Sequence, residues 1–369
     1  MSPLGAEEKR RRKWVWGCTG GCLAFIVTVG AVVVIAVYLL MRSVPVVPPE
    51  TFVTPEAAAF LFVRIEPEDP LMVETAVRLA SRPELRQRVR TKDGEQLSMD
   101  AARARDVVLT VAPIQLVGVL RPGDGEERFH RAVAVCIHKA SRFFTMWARM
   151  AVKSGAEAGS AVSEYKGAAV LTTPEGKTFA VRRNNYLWAD RAETVRAWVD
   201  RLEERRAREE EAAGGEEAVP PLDAAPTLKA AYERLDRDLP IRFACGNAHG
   251  ELRVFLALLP KGPVRNRLAA AGAGSEKVVS VAGQMQGLNN RDAALRIYVD
   301  CADSGFAQRL LETLEAVVAE APDSAPLKEV RVKREEGTVL KMDARIENLP
   351  DKIFQLIDFL REMKQEPAE

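Results

Sequence analysis

The chain has 369 residues and is 28 % charged, yet its 53 basic and 52 acidic residues leave a net charge of only +1. That balance provides no domain-wide basic field for nucleic acid and no acidic one to gather cations. At this length the chain can bury a sizeable core, as one large domain or two modest ones.

The N-terminus opens with Lys9-Arg10-Arg11-Arg12-Lys13, and from Cys22 to Met41 no residue is charged and only Thr28 and Tyr38 carry polar groups. About twenty such residues in a helix cross the ~30 Å hydrocarbon core of a bilayer, where a helix satisfies its own backbone hydrogen bonds. The span is too long for a cleaved signal peptide and lacks a small-x-small site after it. Residues 15–41 therefore read as an uncleaved signal anchor, with 1–14 as a basic cytoplasmic tail. The positive-inside rule places residues 43–369 outside the cytoplasm, and Trp14, Trp16 and Tyr38 fall at the two interfaces. Expected partners are membrane lipid through this helix and an envelope protein, with no nucleic acid. Gly17 and Gly21, four apart, offer a face on which two spans could meet as a homodimer, although glycine is common in membrane helices and this pair lies at the interface.

Residues 42–55 carry four prolines and read as an extended leash. The folded part begins with Ala59–Ile65 as a strand. A helix is expected over Leu71–Arg90, with Met72, Ala76, Leu79 and Ala80 on one face. Ala132–Ile137 is a strand, followed by an amphipathic helix over Ser141–Lys153. Strands at Ala168–Thr172 and Thr178–Val181 flank the turn Pro174–Lys177, and Tyr186–Trp188 precedes a helix carrying Val195, Trp198, Val199 and Leu202. Asp190 with Glu193 looks like a capping box for that helix. The Glu- and Arg-rich stretch 203–226 first extends it, with pairs such as Glu204–Arg208, and then reads as a solvated linker.

The second part repeats this order. Ile241–Cys245 and Glu251–Leu259 are expected to form a hairpin, Ala294–Val299 a strand and Phe306–Ala319 a helix. Glu329–Lys333 and Val339–Met342 make a further hairpin, and Asp351–Met363 a closing helix with Ile353, Leu356, Ile357 and Leu360 inward. The stretches from Ala132 and from Ala294, within units 56–202 and 227–365, thus both run strand, helix, hairpin, helix over roughly seventy residues, an order suggesting internal duplication, and the hairpin at 241–259 lies between them. The fold class is α+β: mostly antiparallel sheets with helices packed on one face.

Signals for chemistry are sparse. Cys136, Cys245 and Cys301 sit in or beside apolar runs and read as buried strand cysteines. His130 and His138 lie too far apart along one strand to share a metal, and His249 lacks a second ligand pair. No nucleophile elbow, zinc-binding helix, phosphate loop or dinucleotide fingerprint occurs, so no catalytic residue, cofactor or metal is assigned. The one sharper feature is Phe143, Phe144 and Trp147 at the start of the helix from Ser141, which reads as core packing or as a partner groove. Function accordingly reads as a non-catalytic, membrane-tethered binding or structural module. An extracytoplasmic enzyme of hydrolase type with an unfamiliar site is the alternative.

The layout resembles single-pass bacterial envelope proteins of uncharacterised families. The likeness is carried by Pro55-Glu56-Ala57-Ala58-Ala59-Phe60-Leu61-Phe62-Val63 and by Tyr165-Lys166-Gly167 through Trp188-Ala189-Asp190. It implies an exported part built from repeated strand–helix–hairpin–helix units, and no functional residue transfers from it.

Overall fold

The run Ala59–Ile65, apolar except for Arg64, forms β1, the strand on which the two halves of the chain meet. The structure is a computed structural model describing residues 47–81, 100–123, 129–138, 142–154, 159–211, 222–248, 250–253, 263–273, 276–321 and 327–355. The expected anchor with Gly17 and Gly21, the latter part of the linker and the end of the closing helix lie outside these residues. Among the described residues no helix is long and apolar enough to cross a membrane.

In chain order β1 is followed by α1 (Pro70–Ala80), α2 (Ala101–Val111), β2 (Ile114–Pro122), β3 (Phe129–Ile137) and α3 (Arg142–Ser154). Then come β4 (Ala161–Tyr165), β5 (Ala168–Thr172), β6 (Thr178–Arg182), β7 (Asn185–Ala189) and α4 (Ala192–Glu211). The second half contains α5 (Pro226–Glu233), β8 (Ile241–Gly246), α6 (Pro263–Ala270), β9 (Val278–Gly287), β10 (Ala293–Cys301) and α7 (Ser304–Ala319). It closes with β11 (Leu327–Arg334), β12 (Val339–Ile346) and a helix that begins at 349. Local chemistry sets several helix starts. Asp69 accepts hydrogen bonds from Leu71 and Met72 N–H at 3.0 Å, with Pro70 in the first turn, and Asp303 accepts from Phe306 N–H at 2.6 Å.

All twelve strands join one antiparallel sheet, in the order β11-β12-β10-β9-β8-β1-β2-β3-β7-β6-β5-β4. The expected units therefore share a single sheet, continuous through the β1–β8 pair, where Leu61 faces Phe243. The order reads alike outward from that pair, and the steps from Ile114 to Val278 and from Phe129 to Ala293 along the chain are equal. The correspondence between halves differs from the sequence reading. It is β7 and β12 that lie beside β3 and β10, so β6–β7 matches β11–β12 and β4–β5 is an addition of the first half.

Residues paired across strands point to the same face of a sheet. The partners Leu187, Ala134, Val117, Phe62, Arg242, Gln284, Arg296 and Asp343 thus trace one face, here the front, from β7 to β12. On the front lie α4, α5 and the 3-10 turn Pro49–Phe52, whose Phe52 packs edge-on to Trp198 at 5.4 Å between ring centroids. On the back, α1 and α2 cluster around Val73, Val77, Ala104 and Val108 beside Ile65, and α7 packs Phe306 and Leu310 against Leu340. The helix from 349 packs Leu349 and Ile353 there too, and α3 also lies on this side. The expectation of helices on one face is therefore corrected: they cover both. The physical reason is that the sheet carries buried apolar side chains on both faces, Phe60, Phe62 and Val117 on the front and Leu295, Leu340 and Ile346 on the back, and each set needs a cover.

Four local expectations also change. Glu50, Thr51, Phe52, Val53 and Thr54 are buried on the front face, so the leash ends before its last proline. Residues 251–253 are helical rather than a strand, started by the Asn247 side chain accepting from Leu252 N–H at 3.0 Å; residues 254–259 lie outside the described residues. The pairing partners of β8 are β1 and β9. Asp190 does not cap α4 but accepts from the backbone and guanidinium of Arg131 at 2.8 and 3.1 Å.

Candidate functional site

The helix α3 has a reversed polarity for a surface helix. Its inner side is made of small or mixed residues, with Ala148 buried, while Trp147 is 56 % exposed, Met150 52 % and Met146 49 %. Large apolar residues at helical spacing normally face a core. Tyr186, on the back face, meets Thr145 of α3, and Glu164 of β4 is reached by Arg149 at 3.4 Å and Lys153 at 3.8 Å. Those contacts fix α3 over the row Glu164, Ala169, Val181 and Tyr186. Burial pushes the Tyr186 phenol up to about 12.

The next row of the back face, Val162, Leu171, Phe179 and Trp188, runs beside the helix. Phe179 and Val162 are exposed apolar residues, Phe179 lies 6.4 Å from Trp188 between ring centroids, and the guanidinium of Arg131 stands 5.8 Å over the Trp188 ring. The result is an apolar ledge, bordered by Arg131, Arg149 and Lys153, at the edge where β4 ends the sheet. Of the aromatic trio singled out in the sequence, Trp147 belongs to this surface. Phe143 and Phe144 are on the first turn of α3, and their side chains lie outside the described residues. Met146, Met150, Val162 and Phe179 were missed from sequence alone. For Met146 and Met150 the signal was the one-sided apolar spacing of α3 read together with its lack of carboxylates; Val162 and Phe179 belong to β4 and β6, whose pairing the local pattern does not show.

Two further sites carry polar groups. On the front face Tyr232 of α5 donates to Glu50, and Arg242 of β8 donates to the Tyr232 hydroxyl at 2.8 Å. Glu50 and Arg242 are 4 % and 6 % exposed, with Arg242 Nη1 4.0 Å from Glu50 Oε1. The guanidinium also lies 5.2 Å over the Phe62 ring. Burial and the neighbouring Glu50 carboxylate drive the Tyr232 phenol well above its ordinary range. This cluster, with Trp198 Nε1 donating to Phe52 O at 2.7 Å, fastens the segment that follows the expected anchor into the core. It is closed on all sides and reads as a fastening.

A cleft of about 270 Å³ lies between the approach to β1, the end of β2 and the N-terminus of α5. Its walls are mostly apolar, with Ala57, Ala58, Pro122 and Leu228, and the carboxylates of Glu56 and Glu251 border it. Glu56 is engaged by Arg121 at 3.2 Å, and Glu251 is buried. Cys136, Cys245 and Cys301 are buried free thiols, held up to about 12, about 12 and about 11 by burial. Among the described residues no group of three or more His, Cys, Asp or Glu side chains is placed to hold a metal. Against known proteins the chain matches no family model, no curated protein and no solved structure, so its function is argued from these surfaces alone.

Proposed function

We propose that this protein is a membrane-tethered, extracytoplasmic binding or structural module of a cell envelope, non-catalytic, whose contact surface is the outer face of α3 with the adjoining ledge of Val162 and Phe179. The observation that carries this reading is the exposed apolar side of α3, Met146, Trp147 and Met150. Large contiguous apolar surface of this kind marks a site that is covered in the working state. The tether is supported by the uncharged run Cys22–Met41 and the cations Lys9–Lys13 before it. The fastened segment Glu50–Thr54 supports a rigid attachment of the module close to that tether.

Hydroxyl-radical footprinting of the full chain tests it, comparing native membranes with detergent-extracted protein. Met146, Trp147 and Met150 should be oxidised several-fold more slowly in the membrane. Equal oxidation in both states would remove α3 as a contact surface. The enzymatic alternative is favoured by one feature, the cleft with Glu56 and Glu251 at its border. A small molecule retained by the purified chain and lost in Glu251→Gln would move that reading ahead.

A further inference from the structure

We infer that the occupant of the α3 surface is the bilayer itself: α3 lies along an anionic lipid surface, with Met146, Trp147 and Met150 at the acyl boundary and Arg149 and Lys153 among the phosphates. This rests on the reading of α3 as the contact surface and names what covers it. The first ground is charge. The helix, RFFTMWARMAVKS, contains three cations and no carboxylate, in a chain whose charges otherwise balance. A helix with one apolar side, cations at its flanks and an exposed tryptophan is the form that lies in a membrane interface. Arg149 and Lys153 do reach Glu164, but as solvent-exposed pairs at 3.4 and 3.8 Å. Such pairs are weak and leave the cations able to share a phosphate.

The second ground is the row beside the helix, where Val162 and Phe179 are exposed on the same back face. Phe179 and Trp188 stand 6.4 Å apart and tilted 53° to each other there, with the guanidinium of Arg131 over the indole, a mixture of apolar and cationic groups that suits contact with a lipid surface. A second copy suits this face poorly, because α3 meeting α3 would oppose cations with cations.

The test uses the full chain in its native membrane, with Trp147 replaced by the photoreactive p-benzoylphenylalanine and, as a control, Leu288 replaced likewise. Leu288 is exposed and lies in the turn between β9 and β10, away from α3. Irradiation should give a phospholipid adduct at position 147 and none at 288. In liposomes, yield at 147 should fall several-fold when phosphatidylglycerol is replaced by phosphatidylcholine, as loss of attraction to the cations requires. A discrete adduct to another protein or to a second copy would overturn the lipid assignment while leaving α3 a contact surface. Equal lipid adducts at 147 and 288, or no adduct at 147, would overturn the inference as well. The footprint comparison above decides separately whether α3 is covered at all.

Discussion

Replacing Arg242 by Met isolates how the front-face cluster fastens the N-terminal segment. Glu50 and Arg242 are 4 % and 6 % exposed, and at 4.0 Å their attraction is about 4 kcal/mol for an effective dielectric of ~20. Arg242→Met leaves the Glu50 carboxylate buried without its counter-charge and with the Tyr232 hydroxyl as a donor, and among the described residues Glu50 Oε2 has no hydrogen-bond partner. Stranding a buried charge costs roughly 3–5 kcal/mol. For a chain of this size that lowers Tm by ~4–7 °C, at about 1.3 °C per kcal/mol. The double variant Glu50→Gln with Arg242→Met removes both charges, and its loss should be at most about half that of Arg242→Met alone, because the desolvation cost leaves with the pair. Denaturant unfolding of the full chain in mild detergent, followed by near-ultraviolet circular dichroism, reads these differences. A loss below about 1 kcal/mol for Arg242→Met, or strictly additive losses in the double variant, would refute the coupled-pair argument.

Three other outcomes follow from the packing and the charges. A Cβ on Gly283 would stand 2.4 Å from the Phe243 ring, so Gly283→Ala should cost roughly 1–3 kcal/mol, and Phe243→Leu in the same chain should recover part of it in the same unfolding assay. The Asp292 carboxyl is held down at about 2, first by the hydrogen bond from Arg345 at 2.6 Å and then by those from Asn348 N–H and the Asn289 side chain. Its folded value is depressed, so its contribution to stability is complete above the unfolded value near ~4 and is lost as pH falls toward 2. Asp292→Asn should flatten that acid limb of the stability profile, and an unchanged limb would contradict the assignment. With their thiols pushed up to about 12, Cys136 and Cys245 should resist iodoacetamide at neutral pH until the chain unfolds, as mass spectrometry would record; rapid alkylation of the folded chain would contradict their burial.

The expected strands at Ala59–Ile65, Ala132–Ile137 and Ala294–Val299 all lie in the sheet, because apolar runs of that length bounded by turns have few other uses. Three strands escaped notice, among them β2, IQLVGVLRP, where Gly118 and Pro122 interrupt the apolar run. β9, VVSVAGQMQG, is interrupted by glycine and glutamine, and β4, AVSEY, is short and exposed at the edge. Gly283 is in β9 because Phe243 crosses there, a long-range reason that leaves no mark in the local pattern. Trp147 stood out as a large aromatic, but whether it faced the core or the outside depended on Tyr186 and Glu164, which hold α3 from other parts of the chain.

By itself the sequence determined the α+β class and the buried character of the three cysteines, since each follows from composition or periodicity within a short window. Only the tertiary structure decided that both halves share one sheet, that helices cover its two faces and that α3 turns its tryptophan outward. Those outcomes depend on which strands pair and which surfaces remain after pairing. Such choices are set by packing between residues far apart in the chain, such as Leu61 with Phe243 and Glu50 with Arg242.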